Sequence, residues 1–375
     1  MIPLSATRST VISKMNIYSR RCQQLYTIKT FIEHSIDIDL DTDSNQFRII
    51  VGNPDGVYDG IFNKYDGVAL YFIGMEMMHG RIDEVTYIGD DEQDVIEITG
   101  RDDLSILIDT DAIPTTLNNA NPVTYTIQKC KEYDLSNDAN GARIRQTVSI
   151  DNIEKVVISS GQSEMSVITG MLDQSNNKIW EEDAYICIGA WITRGDPTFT
   201  FTRGRNLNIR GIPIQTLKLR DSALGIKSEV QIYGSSDSGK DKVLGTYRCA
   251  SGSFYDGIAR RSITSSSSDS KNAHYDKDAE YKGREAFRSG IELTITCNPQ
   301  TMKTPVWVDK IARVIDSKTN LDGTFFIKAV NYTKTITSGS ACTVTMVPDD
   351  SLLDRLWSNI GPAHDNRGYL IQRKG

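Results

Sequence analysis

At 375 residues the chain is too long for one ordinary hydrophobic core and implies two to four domains. A hydrophobic fraction of 39% and a charged fraction of 24% are those of a folded protein, which excludes a disordered or fibrous chain. The net charge of -7 argues against a general nucleic-acid binder, whose surface is basic. Frequent Thr, Ser, Ile and Val predict that β structure dominates.

From Tyr26 to Asp109 the pattern is that of short strands separated by turn signals. "YTIKTFIEHSIDIDLD" alternates, and "NQFRIIVGNPDG" is a strand closing on a Pro-Asp-Gly turn. "DGVALYFIGMEMMHGRIDEVTYIGDDEQDVIEITG" reads as three strands, broken at Met75–Met78 and at Gly89-Asp90-Asp91. The last alternates through Ile96 and Ile98, is expected to turn at Gly100, and passes Arg101, Asp102 and Asp103 into the apolar run Leu104, Ile106, Leu107, Ile108.

The periodicity changes after Pro114. "PVTYTIQKCKEYDL" has helical spacing, and "GQSEMSVITGMLDQSN" places Met165, Ile168, Met171 and Leu172 on one stripe behind a capping Ser163. "NKIWEEDAYICIGAWITRGDPTFTFTRG" returns to hairpins. From Asn206 the β pattern resumes in "QTLKLRDS" and "KSEVQIYG", followed by a polar stretch containing "SSSSDSKNAHYDKD", expected as an exposed loop. "DKDAEYKGREAFRSG" reads as a helix. "IELTITCN", "PVWVDKIARVID", "GTFFIKAVNYTKTI" and "ACTVTMVPDD" read as strands, and Leu352, Leu353, Leu356 and Trp357 suggest a short final helix.

No motif makes a case for catalysis. "GSSDSGKD" at Gly234 has P-loop spacing, but Asp241 stands where the magnesium-binding Ser or Thr belongs and no apolar helix follows. Asp37, Asp39, Asp41 and Asp43 alternate, but a calcium loop counted from Asp37 would have Thr42 and Arg48 where glycine and glutamate are required. They read as a strand with one acidic face. "RGD" at Arg194 is a turn tripeptide, and "NYT" at Asn331 lies in a strand pattern. The groups Asp90-Asp91-Glu92 and Glu181-Glu182-Asp183 could supply a carboxylate pair, but each sits at a turn, where solvated acids are routine. The four histidines are scattered, with no HExxH and no nucleophile elbow. The six cysteines, Cys22, Cys130, Cys187, Cys249, Cys297 and Cys342, form no CxxC, so no zinc site, cofactor or disulfide framework is read, and buried thiols are expected. No apolar run is long enough to insert into a membrane, and the N-terminus lacks the apolar segment of a signal peptide, so the chain is expected to assemble in a cytoplasm.

The order of segments resembles the baseplate hub family of contractile phage tails. "GRIDEVTYIG" and "ITGRDDLSILID" match the end of that family's first β domain. "KIWEEDAYICIGAW" resembles its middle hairpin, with Gly204 and Arg205 after it, and "SEVQIYGSSDSG" resembles the strand that follows. "EAFRSGIELTITCN" and "VWVDKIARVIDSKTNLDGTFFIKAVNYTKTITSGSACTVTM" echo its closing helix and strands. The likeness runs from about Tyr26 to Pro348, and Cys297-Asn298-Pro299 replaces a glycine-containing turn.

The resemblance implies a β-rich α+β chain. A first tube-like β-barrel domain spans 1–112, a mixed α/β domain 113–205, and a second tube-like barrel 206–350 with a helix and a long polar loop at about 234–276; a tail covers 351–375. It implies a structural virion protein of the tail baseplate, not an enzyme: a homotrimer that adapts a sixfold tail tube protein to a threefold central spike protein. Such a hub contacts other baseplate proteins and passes DNA through its channel without binding it. Arg101, Asp102 and Asp103 are expected to form a structural corner or subunit contact at the exit of the first tube domain. Alternatives are the hub-like part of a tail protein of a non-contractile phage, a tail-attached cell-wall hydrolase, and a carbohydrate-binding module. Ending at Gly375, soon after the second β region, the chain is expected to be a hub alone.

Overall fold

The computed structural model describes residues 12–19, 23–72, 74–89, 94–135, 143–146, 149–191, 193–204, 210–222, 229–235, 241–248, 261–265 and 275–358. In chain order the first β region holds β1 (Ile12–Ser19), β2 (Gln24–Ile28), β3 (Glu33–Asp39), β4 (Gln46–Gly52), β5 (Gly67–Phe72), β6 (Met75–Gly89) and β7 (Asp94–Asp102). Helix α1 (Ser105–Asp109) leads to β8 (Thr115–Ala120), α2 (Pro122–Glu132), β9 (Ile144–Gln146), β10 (Ile153–Ile158), α3 (Glu164–Asp173), β11 (Lys178–Glu182) and β12 (Tyr185–Gly189). The last part holds β13 (Phe199–Arg203), β14 (Ile212–Asp221), β15 (Glu229–Ser235), β16 (Asp241–Arg248) and β17 (Arg261–Ser265), then α4 (Tyr275–Arg288) and β18 (Ile291–Cys297). It closes with β19 (Lys310–Asp316), β20 (Leu321–Thr335), β21 (Gly339–Pro348) and α5 (Asp350–Ser358).

Thirteen strands form one sheet in the order β19-β13-β14-β18-β21-β20-β3-β4-β7-β6-β5-β1-β2, and a further pairing of β19 with β20 closes the first six into a barrel. The chain is therefore a β-rich α+β fold in which the two β regions share a sheet. That sheet contains the same antiparallel run twice, β14-β18-β21-β20 and β3-β4-β7-β6, each visited by the chain in the order first, second, fourth, third. Even the irregularities repeat: β6 slips register against β7 between Ile82 and Glu84, and β20 slips against β21 between Ile327 and Ala329. The repeat is invisible as sequence identity because a strand needs only alternation, which many residue pairs satisfy.

Alternation also decides which face is buried. Ile36, Phe47, Ile49, Ile96, Ile98, Leu293, Ile295, Val330, Tyr332, Val344 and Met346 fill one side of the sheet. The middle region has its own core, where Val123 and Cys130 of α2 meet Met165, Ile168 and Leu172 of α3. Ser163 caps α3 by accepting from the Ser166 N–H at 3.1 Å, as its sequence predicts, and Asn121 caps α2 by accepting from the Thr124 N–H at 3.0 Å.

Several local expectations are corrected. Gly100 is not a turn: β7 continues to Asp102, and Gly100 is buried under the Phe47 ring, where an added Cβ would lie 2.4 Å from Phe47 Cζ and 2.1 Å from the Arg81 carbonyl oxygen. Met75–Met78 do not break a strand but begin β6. Within the stretch expected as a polar loop, β16 and β17 flank β15 in a small sheet beneath α4. β13, assigned from sequence to the middle domain, is hydrogen-bonded into the barrel between β19 and β14. Asp90-Asp91-Glu92, most of "GSSDSGKD", the "SSSDSKNAH" run from Ser266, Arg205, Cys22, Cys249 and the end of the tail lie outside the described residues. Cys130, Cys187, Cys297 and Cys342 are free and buried. Among the described residues no helix is long and apolar enough to cross a membrane.

Candidate functional site

At the end of β7 three consecutive residues do three different jobs. Arg101 forms two bidentate ion pairs: Nε and Nη2 donate to Asp83 at 2.7 and 3.2 Å, and Nη1 and Nη2 donate to Asp109 at 3.1 and 2.6 Å. Those bonds push its pKa above the ordinary arginine value. Asp83 is the residue at which β6 slips register, and Asp109 ends α1, so Arg101 ties the bulge of one strand to the helix after the next.

Asp102 is fully buried. Its carboxylate accepts from Ser44 Oγ at 2.6 Å, the Asn45 N–H at 2.8 Å and the Leu104 N–H at 3.1 Å, locking the β3–β4 turn to the chain leaving β7. Asp103 points the other way. It meets His79 Nδ1 at 2.6 Å, Arg143 Nη1 at 3.4 Å and Arg81 Nε at 4.0 Å. The apolar run that follows does not return to the sheet: Leu104 and Leu107 pack into the middle core. The three residues form the corner at which the chain leaves the first β region.

A third buried carboxylate joins them from a distant segment. Glu181 of β11 is 3% exposed, and Oε1 accepts the His79 N–H at 2.9 Å. Oε2 has no hydrogen-bond partner, and the crevice that Glu181 and Asp102 line has no volume for a water molecule. Burial, then the charges of Asp102 and Asp103, drive the Glu181 pKa well upward. Burial also pushes Asp102 up to about 7, against three donors that favour its ionised form. The proton held by this pair belongs mainly on Glu181, which has one donor where Asp102 has three. Next to it Glu182 accepts from Lys310 Nζ at 2.7 Å, and Asp183 stands at the hairpin turn near Arg145. These acids hold β11 against the sheet. Among the described residues no group of three or more His, Cys, Asp or Glu side chains is placed to hold a metal ion.

The second feature is a surface. On the face of the sheet opposite the core, cross-strand register aligns Thr216, Thr296, Thr343, Asn331, Asp37 and Gln46 in one row, and Lys218, Thr294, Thr345, Ala329 and Asp39 in the next. A third row runs Thr333, Ser35, Arg48, Thr99, Glu84. None of these side chains is buried. The face is continuous across both repeats and dips into a trough of about 220 Å³ lined by Asp37, Asp39, Asn331, Thr343 and Thr345. Its arginines Arg48, Arg101 and Arg220 are each paired with carboxylates, Glu97 and Glu33, Asp83 and Asp109, and Glu292 respectively. The acidic alternation read from "SIDID" is the β3 part of this face, while Asp41 and Asp43 lie beyond the strand.

The fold is that of known tail proteins. The tail protein of Neisseria meningitidis MC58 superposes with a TM-score of 0.71 over 91% of this chain and 97% of its own, at 15% identity. The 43 kDa tail protein of prophage MuSo2 from Shewanella oneidensis gives 0.67 over 90% and 99%, at 14% identity.

The chain has the fold of these tail proteins.

The Escherichia coli c3393 protein, a type VI secretion component with structural similarity to the T4 tail proteins gp27 and gp5, superposes at 0.54 over 92% of this chain, at 10% identity. No family profile matches the sequence, and no curated protein matches it.

Sequence reading missed Glu181, His79, Arg81 and Arg143 as partners of the corner. They are 22 to 102 positions from the residues they meet, and no local pattern signals such a contact. The one available signal was "IWEED", an acid in phase with the apolar Ile179 on a strand too short to expose both faces.

Proposed function

We propose that the chain is a structural protein of a phage tail: a trimeric baseplate hub that adapts a sixfold tube to a threefold spike and forms part of the DNA channel. The observation that carries this reading is the doubled four-strand run with one shared polar face. Two like units per chain make six per trimer, which is the number a sixfold tube presents. The polar face would line the channel. Its Thr, Ser and Asn side chains and its arginine–carboxylate pairs offer phosphate few unneutralised cations, so DNA would slide past without counterion release holding it. The buried-acid corner acts as architecture in this reading, with no turnover.

The test is the solution mass by light scattering, followed by electron microscopy of the same sample. A mass of three chains and a ring with a central opening is the expected result. A stable monomer at the highest attainable concentration, showing no ring when mixed with a tube or spike protein, refutes it.

A further inference from the structure

The two repeats differ at one buried rung. In the first, Val51 of β4 lies opposite Ile96 of β7, and Ile96 lies opposite Tyr87 of β6. In the second, Cys297 of β18 lies opposite Cys342 of β21, and Cys342 lies opposite Tyr332 of β20. The fold therefore needs only two apolar side chains at this rung. The second repeat fills it with two of the chain's six cysteines, both fully buried. The other two cysteines among the described residues are placed differently. Cys130 lies in the middle core, and Cys187 faces Trp180 across the β11–β12 hairpin.

Directly opposite residues of an antiparallel pair have Cα atoms about 4.5 or 5.5 Å apart, inside the window of about 4.4–6.8 Å that a disulfide spans. Register thus places the two thiols for a bond with no slip of either strand. Cys297 Sγ donates to the Cys342 carbonyl at 3.4 Å. The Cys342 thiol is within hydrogen-bonding reach of the Cys297 thiol and of the Tyr332 hydroxyl. That hydroxyl is itself fixed, accepting from the Val306 N–H at 2.6 Å and donating to the Val306 carbonyl at 3.1 Å. Burial, and then the adjoining Cys297, raise the Cys342 pKa well above the ordinary thiol value. A covered, protonated thiol is a poor nucleophile, so the pair stays reduced until the rung opens. The rung is well placed to open. It is the last of the β18–β21 ladder, and beyond it β18 leaves the sheet into the single turn Pro299–Thr301. The end of a ladder opens at lower cost than its middle.

We propose that Cys297 and Cys342 form a redox site, a cross-strand dithiol that a small-molecule disulfide such as oxidised glutathione converts into a disulfide clasping the end of the β18–β21 ladder. One thiol, opened to solvent and deprotonated, attacks the glutathione disulfide and releases one glutathione thiolate. The second protein thiol gives up its proton, displaces the remaining glutathione and completes the protein S–S bond. Two glutathiones leave reduced, having taken up the two thiol protons and two electrons. The bond forms in an oxidising medium and not against the reduced glutathione of a cytoplasm. It closes the loop that carries β19 and β20, which restricts the unfolded chain and so favours the folded barrel.

The test uses the full chain, purified under reductant, then incubated with oxidised glutathione and alkylated in denaturant before digestion. Trypsin cuts after Arg288, Lys303, Lys334 and Arg355, so Cys297 and Cys342 fall on separate peptides, 289–303 and 335–355. Mass spectrometry is expected to find these peptides joined, lighter by two hydrogens than their sum, and joined faster in sub-denaturing urea, which populates the open rung. The urea midpoint of the oxidised parent is expected to lie above that of the reduced parent. Cys297→Ala and Cys342→Ala are each expected to lose both the joined peptide and the rise. Recovery of both cysteines alkylated, from the native chain and also from chain refolded out of urea in the same oxidant, overturns the site, whatever the variants do. Recovery of the two mainly on glutathione or on other cysteines overturns it equally. A joined peptide with no rise of the midpoint refutes the clasp.

Discussion

His34 occupies, in the first repeat, the inward position that Leu217 holds in the second. It is 2% exposed, both ring nitrogens lack hydrogen-bond partners, and Phe31 packs edge-on against it. Burial, and secondly the charge of Lys334 across the β3–β20 pairing, lower its pKa from 6.5 to about 3. In the folded chain the ring therefore stays neutral while the unfolded chain takes up a proton below pH 6.5. The corresponding stability is present above that value and is lost as pH falls towards about 3. Between pH 7.5 and pH 5 this one group removes 2.303RT times about 1.5, or about 2 kcal/mol. His34→Leu abolishes that loss and removes two orphaned polar atoms, a gain of about 1–3 kcal/mol at neutral pH from relieved desolvation. Urea unfolding followed by tryptophan fluorescence, at fixed protein concentration because assembly is linked to stability, measures both. The variant is expected to exceed the parent at pH 7.5 and by about 2 kcal/mol more at pH 5. Equal losses of stability in parent and variant over that interval would refute the reasoning.

Glu181→Gln acts on the opposite limb. A carboxyl whose folded pKa is raised contributes stability that is complete below its unfolded value and lost as pH rises, so the variant is expected to gain on the parent at pH 8 and to match it near pH 4; parallel melting temperatures at the two values check it. Arg101→Ala removes two bidentate but partly exposed ion pairs and is expected to cost about 1 kcal/mol in urea unfolding, with no buried charge left behind. Asp102→Ala strands the Asn45 and Leu104 N–H groups and the Ser44 hydroxyl in a buried turn, and a loss of about 3 kcal/mol or more in the same assay is expected. Gly100→Ala drives a methyl into the Phe47 ring and the Arg81 carbonyl, with an expected cost of about 1–3 kcal/mol and a lower midpoint.

Much of this molecule is written locally. The alternation in "SIDID", "IEITG" and "IELTITC" dictates strands with one apolar side, and Ser163 followed by the stripe Met165, Ile168, Met171 and Leu172 dictates a capped helix, because these patterns depend only on residues a few positions apart. The absence of a readable catalytic motif and the order of segments were equally open to inspection. Tertiary structure alone decided the rest. Gly100 read as a turn because glycine usually marks one, yet the Phe47 ring from another strand requires its missing side chain. Glu181 read as a solvated turn acid, and Asp102 and Asp103 as part of a structural corner. Only the docking of β11 against β6 brings Glu181 out of water beside Asp102, and makes the protons of these two carboxyls part of the fold's stability. The polar face and the joining of two repeats into one sheet depend on β20 meeting β3 across nearly 300 residues, with Asn331 paired to Asp37. Alternation tells a strand which way to face, but it does not name its neighbour; that choice is made by edges, bulges and cores that exist only once the chain has folded.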